Sequence, residues 1–379
     1  MEIRCLLTKA ELDEAARLSD SIFRDHEQVS MQQAFPGVFS ESLGQSFGAF
    51  DNGKMVAFMG LVPTIIRLGP ASLRVYSLGS VCTDENYRGK GIASELLDAV
   101  LQQIGQAGAS LLLVSGARSL YTRAGCRTYG QVEYYQWDRG NGVSFQTGQL
   151  PQGAQLREWQ STDWFQLHAL ASNREVRFDH NLSELAQLIH CEAFSSCVKL
   201  KHKVVVAEKD GQIVTFAVVG VPAAAAPKRP PLLIEWAGDA ACMPALLNFA
   251  ADTYTLDKLL IPVPWHEQKL ALALQGLPVE QKKATGTVLV ASPERLLEQL
   301  APYLQAKDAS AFASLAFARE GEDAIGVTFK DKSCTLTVTE FISLLFDPGH
   351  PELDEPELTE ALKTLFPLPL PYDAGLNYV

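Results

Sequence analysis

The sequence predicts an α/β (α+β) protein in which mixed sheets flanked by helices occur in tandem. Three observations carry that prediction. Ile92 to Ile104 has the spacing of an amphipathic helix, and the short, nearly all-apolar run Ser110 to Ser115 that follows suits a strand covered on both faces. A strand–turn–strand layout occurs twice, at Phe47–Val62 around Asp51-Asn52-Gly53 and at Lys203–Gly220 around Asp210-Gly211. A chain of 379 residues is also too long for one core, since domains run to ~100–200 residues each.

Taken in order, Glu11–Phe23 places Leu12, Ala15, Ala16, Leu18, Ile22 and Phe23 at helical spacing. The first hairpin follows, then a strand over Val75–Thr83, the helix from Ile92 and the buried strand from Ser110. Gly140, Gly142, Gly148, Pro151 and Gly153 cluster as a linker over Arg139–Gln155. Beyond it, Trp164–Ala171 and Leu182–Cys191 read as helices ahead of the second hairpin, and Pro222–Pro231 as an inserted loop. A third segment starts near Lys283 with a strand. A helix over Pro293–Leu304 comes next, then strands at Ala324–Phe329 and Ser333–Val338 and a helix over Glu340–Phe346. The run Phe366-Pro-Leu-Pro-Leu-Pro-Tyr372 should be extended.

Composition narrows the function. Basic side chains number 32 against 44 acidic ones, so the footprint of a nucleic-acid binder is missing. No apolar run approaches the ~20 residues of a membrane span, and no signal core follows Met1. Seven scattered cysteines without a CxxC pair suit a reducing cytoplasm. His190, Cys191, Cys197 and His202 form a local cluster, but adjacent His190 and Cys191 point apart on a helix or a strand. They read as core or surface residues, and no metal is expected.

The informative stretch is Leu78-Gly-Ser-Val-Cys-Thr-Asp-Glu-Asn-Tyr-Arg-Gly-Lys-Gly-Ile-Ala-Ser94. A strand ends at Thr83, and glycines stand at the mouth of a helix, where free backbone N–H groups and the helix dipole suit a pyrophosphate. Gly89 and Gly91 permit close backbone approach, and Arg88 and Lys90 add positive charge. A Walker A frame is absent. A dinucleotide fingerprint is nearly met by Gly89, Gly91 and Ser94, but the strand Leu111–Ser115 ends without the acidic residue that motif needs.

The stretch resembles the cofactor signature of GNAT acetyltransferases, Gln/Arg-x-x-Gly-x-Gly/Ala, met by Arg88, Gly91 and Ala93 between a strand and a helix. Ser115-Gly-Ala-Arg-Ser-Leu-Tyr-Thr-Arg-Ala-Gly125 is similar to the later GNAT segment whose tyrosine lies beside the cofactor sulfur, with Cys126 replacing the usual aromatic residue. Phe35-Pro36, Phe39, Gly79–Thr83, Ser115 and Tyr121 together resemble the Eis (enhanced intracellular survival) group. That resemblance implies a catalytic GNAT domain over 1–140, a degenerate second GNAT-like domain over 150–283 and a sterol-carrier-protein-like domain over 284–379. The last is read as architectural.

The resemblance further implies acetyl-CoA as co-substrate. Val81, Cys82 and Thr83 would contact it through the strand. Arg88, Gly89, Lys90, Gly91, Ile92, Ala93 and Ser94 would wrap its pyrophosphate, and Ser115 would border the pantetheine. Tyr121 would be the general acid and the terminal carboxylate of Val379 the base; Leu376, Tyr378 and Val379 favour burial of that tail. Trp236-Ala-Gly-Asp-Ala-Ala-Cys-Met lacks the signature, so no second cofactor site is expected. Glu85 reads as structural and Asp25 as a candidate contact for a cationic acceptor. The implied reaction is direct acetylation of a primary amine (aminoglycoside, polyamine or lysine) in the cytoplasm by a homo-oligomer of open size. Two other readings stay open here: a non-catalytic acetyl-CoA or small-ligand sensor, and a lipid carrier.

Overall fold

Polar caps set where the first helices begin. Thr8 and Glu11 form a reciprocal capping box at α1 (Lys9–Phe23), and Ser30 with Gln33 does the same at the one-turn α2 (Met31–Ala34). The computed structural model describes all residues except 143, 144, 146–149, 225, 350, 352, 354 and 355. Gly148 of the expected linker and Ala225 of the expected loop therefore lie outside the described residues.

β1 (Glu2–Cys5) precedes these helices, and β2 (Phe47–Asp51), β3 (Lys54–Leu68) and β4 (Ala71–Thr83) follow as an antiparallel meander. Asn52 and Gly53 carry the positive φ values, 49° and 81°, that a two-residue hairpin turn requires. α3 (Ile92–Gln106) then crosses to β5 (Leu111–Val114), parallel to β4, and the one-turn α4 (Ser119–Arg123) follows. β6 (Val132–Asp138) comes next.

The layout then repeats with β7 (Gln155–Glu158), α5 (Trp164–Ser172), β8 (Val176–Phe178), α6 (Leu182–Cys191) and α7 (Ala193–Cys197). β9 (Leu200–Lys209), β10 (Gln212–Pro222), β11 (Leu232–Gly238), α8 (Met243–Thr253), β12 (Lys258–Pro264), α9 (Gln268–Ala273) and β13 (Val279–Lys282) complete it. The last segment holds β14 (Thr287–Val290), α10 (Pro293–Phe312), β15 (Leu315–Arg319), β16 (Ala324–Phe329), β17 (Lys332–Thr337), α11 (Val338–Phe346) and α12 (Pro356–Leu365). α10 outruns the expected end at Leu304: it tolerates Pro302 and kinks at Asp308 (φ −157°, ψ 98°).

Among the described residues the first sheet runs β1-β2-β3-β4-β5-β14, with β8 added on β3. The second runs β13-β6-β12-β11-β10-β9-β7, and β15-β16-β17 form a small third sheet. Two strands change places. β6, at the end of the expected first unit, pairs with β12 of the second, while β14, just after the second, pairs with β5 of the first. The sequence boundaries at 140 and 283 thus cut across sheet membership, because strand pairing between distant segments leaves no local mark. α3 packs Ile92, Leu96, Leu97, Val100 and Ile104 on the first sheet, and α1 and α2 cover its other face.

Candidate active site

β4 and β5 pair from Val75↔Leu111 to Leu78↔Val114; there the pairing stops, while β4 runs on to Thr83. On its other edge β4 holds β3 across a bulge, with Ser80 at φ 53°. The parallel strands part at Gly79 and open a wedge walled by the backbone of Ser80–Thr83. Unpaired strand groups of this kind bind an extended ligand as an added strand. Val81 is partly buried against the sheet core. The Cys82 thiol turns away: it lies 3.6 Å from the Ser19 hydroxyl on α1, and burial pushes it up to about 11. Cys82 therefore offers the wedge its backbone and not its sulfur.

At the end of β4 the Asp84 carboxylate accepts from the Asn86 N–H at 3.0 Å and pairs with Lys54 at 3.1 Å, fixing a single 3₁₀ turn. The Glu85 carbonyl accepts from Arg88 N–H in that turn. The Arg88 guanidinium donates to the Thr83 carbonyl at 3.3 Å, and the Lys90 ammonium lies 4.5 Å over the Tyr87 ring. Gly89 (φ 75°) and Gly91 (φ 81°) take the left-handed backbone into α3, and a Cβ on either would meet nothing within 4 Å. α3 begins without a side-chain cap. Ser94 N–H is already given to the Gly91 carbonyl at 2.9 Å, so Ser94 supplies no free backbone donor. The N–H groups from Gly89 to Ala93 find no acceptor among the described residues, the requirement for an anion at a helix start. Ile92 sits in the core at 4% exposure and contributes backbone alone.

β5 leads into Ser115, whose hydroxyl faces Gly79. A Cβ placed on Gly79 would lie 3.2 Å from Ser115 Oγ and 1.9 Å from the Val379 carboxyl oxygen. The last residue of the sequence thus reaches the mouth of the wedge. Tyr378, in hydrogen-bond contact with Ser115, packs edge-on against Phe194 (5.1 Å, 77°) and tilts onto Phe35 (6.3 Å). Tyr121, on α4, is 6% exposed. Burial pushes its phenol up to about 12, although nearby Arg118 pulls the other way.

A cleft of about 530 Å³ leads outward from Val379 between α2, β3, β4 and α6. β8 pairs with the far end of β3 (Ile66↔Phe178) and delivers Asp179 and His180 to this cleft. Sequence reading missed both residues, because only that long-range pairing brings them in. Asp25, expected to meet a cationic acceptor, is instead ion-paired with Lys199 at 2.9 Å and lies outside the cleft lining. In the His/Cys cluster, His202 Nδ1 meets the Ile189 carbonyl at 2.8 Å, and Cys191 and Cys197 bond to helical carbonyls. Among the described residues no group of three or more His, Cys, Asp or Glu side chains could hold a metal ion, and no helix is long and apolar enough to cross a membrane.

Residues 3–129, the stretch that builds the wedge and the α3 start, match the acetyltransferase (GNAT) domain family. The first unit is similar to a GNAT acetyltransferase domain. The enzyme class that goes with it is an acetyl-CoA-dependent acyltransferase. The whole chain is similar in fold to Eis1 from Mycobacterium abscessus, at 13% identity and a TM-score of 0.65 over 98% of both chains. It is similar to a GCN5-related N-acetyltransferase from Kribbella flavida, at 14% and 0.65 over 100% of this chain and 98% of that one. A GCN5-related N-acetyltransferase from Anabaena variabilis gives 13% and 0.60 over 98% of both. No curated protein sequence matches the chain.

The strands of the second sheet part in a similar way, and there the gap is filled. β11 and β12 pair only at Leu232↔Leu260, and Leu260 N–H donates to the Pro231 carbonyl. Pro262 and Pro264 follow at the same strand phase, so neither offers a donor where the strands part. The C-terminal tail lies there: a Cβ on Gly375 would be 2.6 Å from the Ile234 carbonyl oxygen, and Pro371, Tyr372 and Leu376 share a small cavity with Ile234, Pro262 and Pro264. On the 3₁₀ turn ahead of α8 the Asp239 carboxylate accepts the Ala241 N–H, and within the first turn of α8 Pro244 has no N–H to give.

Proposed function

We propose that the protein transfers the acetyl group of acetyl-CoA directly to a primary amine, with one cofactor site per chain, in the first unit. The β4 wedge and the donors of Gly89–Ala93 fit a pantetheine arm and a pyrophosphate. The filled wedge of the second unit, and the Asp239 carboxylate on the turn ahead of α8, argue against a second site. Acetyl-CoA supplies the activated acetyl group. The protein's own residues orient the amine, take up its proton and stabilise the departing sulfur.

The observation that carries this reading is the approach of the Val379 carboxyl group to Gly79, where β4 and β5 part. A carboxylate there stands between the amine cleft and the wedge, and Val379 lines that cleft. It accepts the proton an ammonium must lose before it can attack. Tyr121, a buried phenol that keeps its proton, is the donor toward sulfur. Residues 1–140, 150–283 and 284–379 are assigned as the catalytic unit, its degenerate partner and a sterol-carrier-like unit. In the last, β15–β17 with α10–α12 serve to hold the tail.

Adding three or four residues after Val379 tests the assignment. kcat should fall by on the order of 10²-fold while acetyl-CoA affinity stays constant. A fully active extended protein would place the base elsewhere.

A further inference from the structure

The cleft beyond Val379 has a composition that selects its occupant. We infer that the acceptor is a primary amine carried on an apolar body, and not a polycation. This rests on the acetyl-transfer reading above and names the substrate class for the same site.

The walls are apolar on three sides: Phe35 and Val38 from the arm, Val62 and Ile65 from β3, and Leu188 from α6. Leu43 and Ile65 are both 41% exposed, unusual for large aliphatic side chains, and both line this cleft. Its volume of about 530 Å³ is that of a small-molecule site.

Charge in the cleft is largely committed. Asp179 is held by Arg67 at 2.8 Å and Arg177 at 3.7 Å, so its charge is matched by two guanidinium groups. The Glu184 carboxylate accepts the Asn181 N–H at 2.9 Å in the capping box of α6, where the helix dipole already offsets it. Burial lowers the pKa of His180 and so disfavours its charged form. Arg74 adds a cation to the lining. That leaves the Val379 carboxylate, which meets the one amine being acetylated. Each further ammonium would have to shed water against aliphatic walls without a free carboxylate, a cost that burying apolar surface does not carry.

The test measures thiol release from acetyl-CoA with 2-phenylethylamine, spermidine and kanamycin, alongside calorimetric titration of acetyl-CoA. kcat/KM for 2-phenylethylamine should exceed that for either polycation at least roughly tenfold. Ile65→Glu and Leu43→Glu change exposed side chains and add a carboxylate to the wall. Each should lower kcat/KM for 2-phenylethylamine and raise it for spermidine. Equal or greater turnover of spermidine or kanamycin by the unaltered protein overturns the acceptor class and leaves acetyl transfer standing. Acetyl-CoA binding without thiol release for any of the three amines overturns both.

Discussion

A free tyrosine loses its proton near pH ~10, whereas burial holds Tyr121 to about 12. The folded protein thus makes it a weaker acid than a free tyrosine. In the proposed mechanism its contribution is then chiefly a fixed hydrogen bond to the sulfur as negative charge develops. Tyr121→Phe should lower kcat by on the order of 10²-fold with acetyl-CoA affinity unchanged, read by steady-state kinetics and calorimetry. The wild-type rate should show no alkaline fall from this group below pH 10; near-wild-type turnover in the variant would remove its role. Tyr121 could be singled out from sequence because the residues around it carry a local pattern. His180 was not, since nothing near it in sequence marks the strand pairing that brings it to the cleft.

Two elements build the proposed site, the start of α3 and the C-terminal tail. Gly91 holds φ 81° at the helix mouth, where a branched side chain would strain the backbone by roughly 1–2 kcal/mol and also stand among the free donors. Gly91→Val should therefore weaken acetyl-CoA binding in a titration, and unchanged affinity would show that the pyrophosphate lies elsewhere. The tail is anchored by Asp373, which accepts from the Tyr129 hydroxyl at 3.2 Å. Burial pushes its carboxyl up to about 6, above the unfolded value near ~3.9. The folded state thus binds that proton more tightly than the unfolded state does. Stability is favoured in acid and is lost as pH rises from about 4 through 6, by on the order of 3 kcal/mol. Asp373→Asn cannot ionise, so its Tm should gain on the wild type from pH 4 to 6 and level off above. A pH-independent gap would contradict that. Hairpins with Asn52-Gly53 and Asp210-Gly211 were legible because a turn is a local event. β12 was not, because Pro262 and Pro264 argue against a strand until the parted sheet supplies the place where a missing N–H costs nothing.

At the scale of the molecule, β6 and β14 bind each unit to sequence outside it. A fragment ending at residue 283 keeps the acetyltransferase signature but lacks β14, leaving β5 as an apolar open edge, and it also lacks the tail. That fragment should aggregate or lose cooperative melting, and it should lose turnover. A monomeric 1–283 with full acetyl-CoA affinity would show that the exchange is dispensable. The two half-folds were legible as a repeat of layout. Their interlock was not, because periodicity reports which strands form and not which edge each one joins.

The exchange of β14 also sets an order of events during synthesis. Leu111–Val114 leaves the ribosome roughly 170 residues before the strand that covers its edge, an interval of about ten to thirty seconds at ordinary elongation rates. Through that interval the nascent chain carries an unpaired Leu-Leu-Leu-Val edge that can be met only by a chaperone, by a neighbouring chain on the same message or by premature pairing within itself. Yield of the native protein should thus depend on translation speed across residues 115–290 more than on the stability of the finished fold.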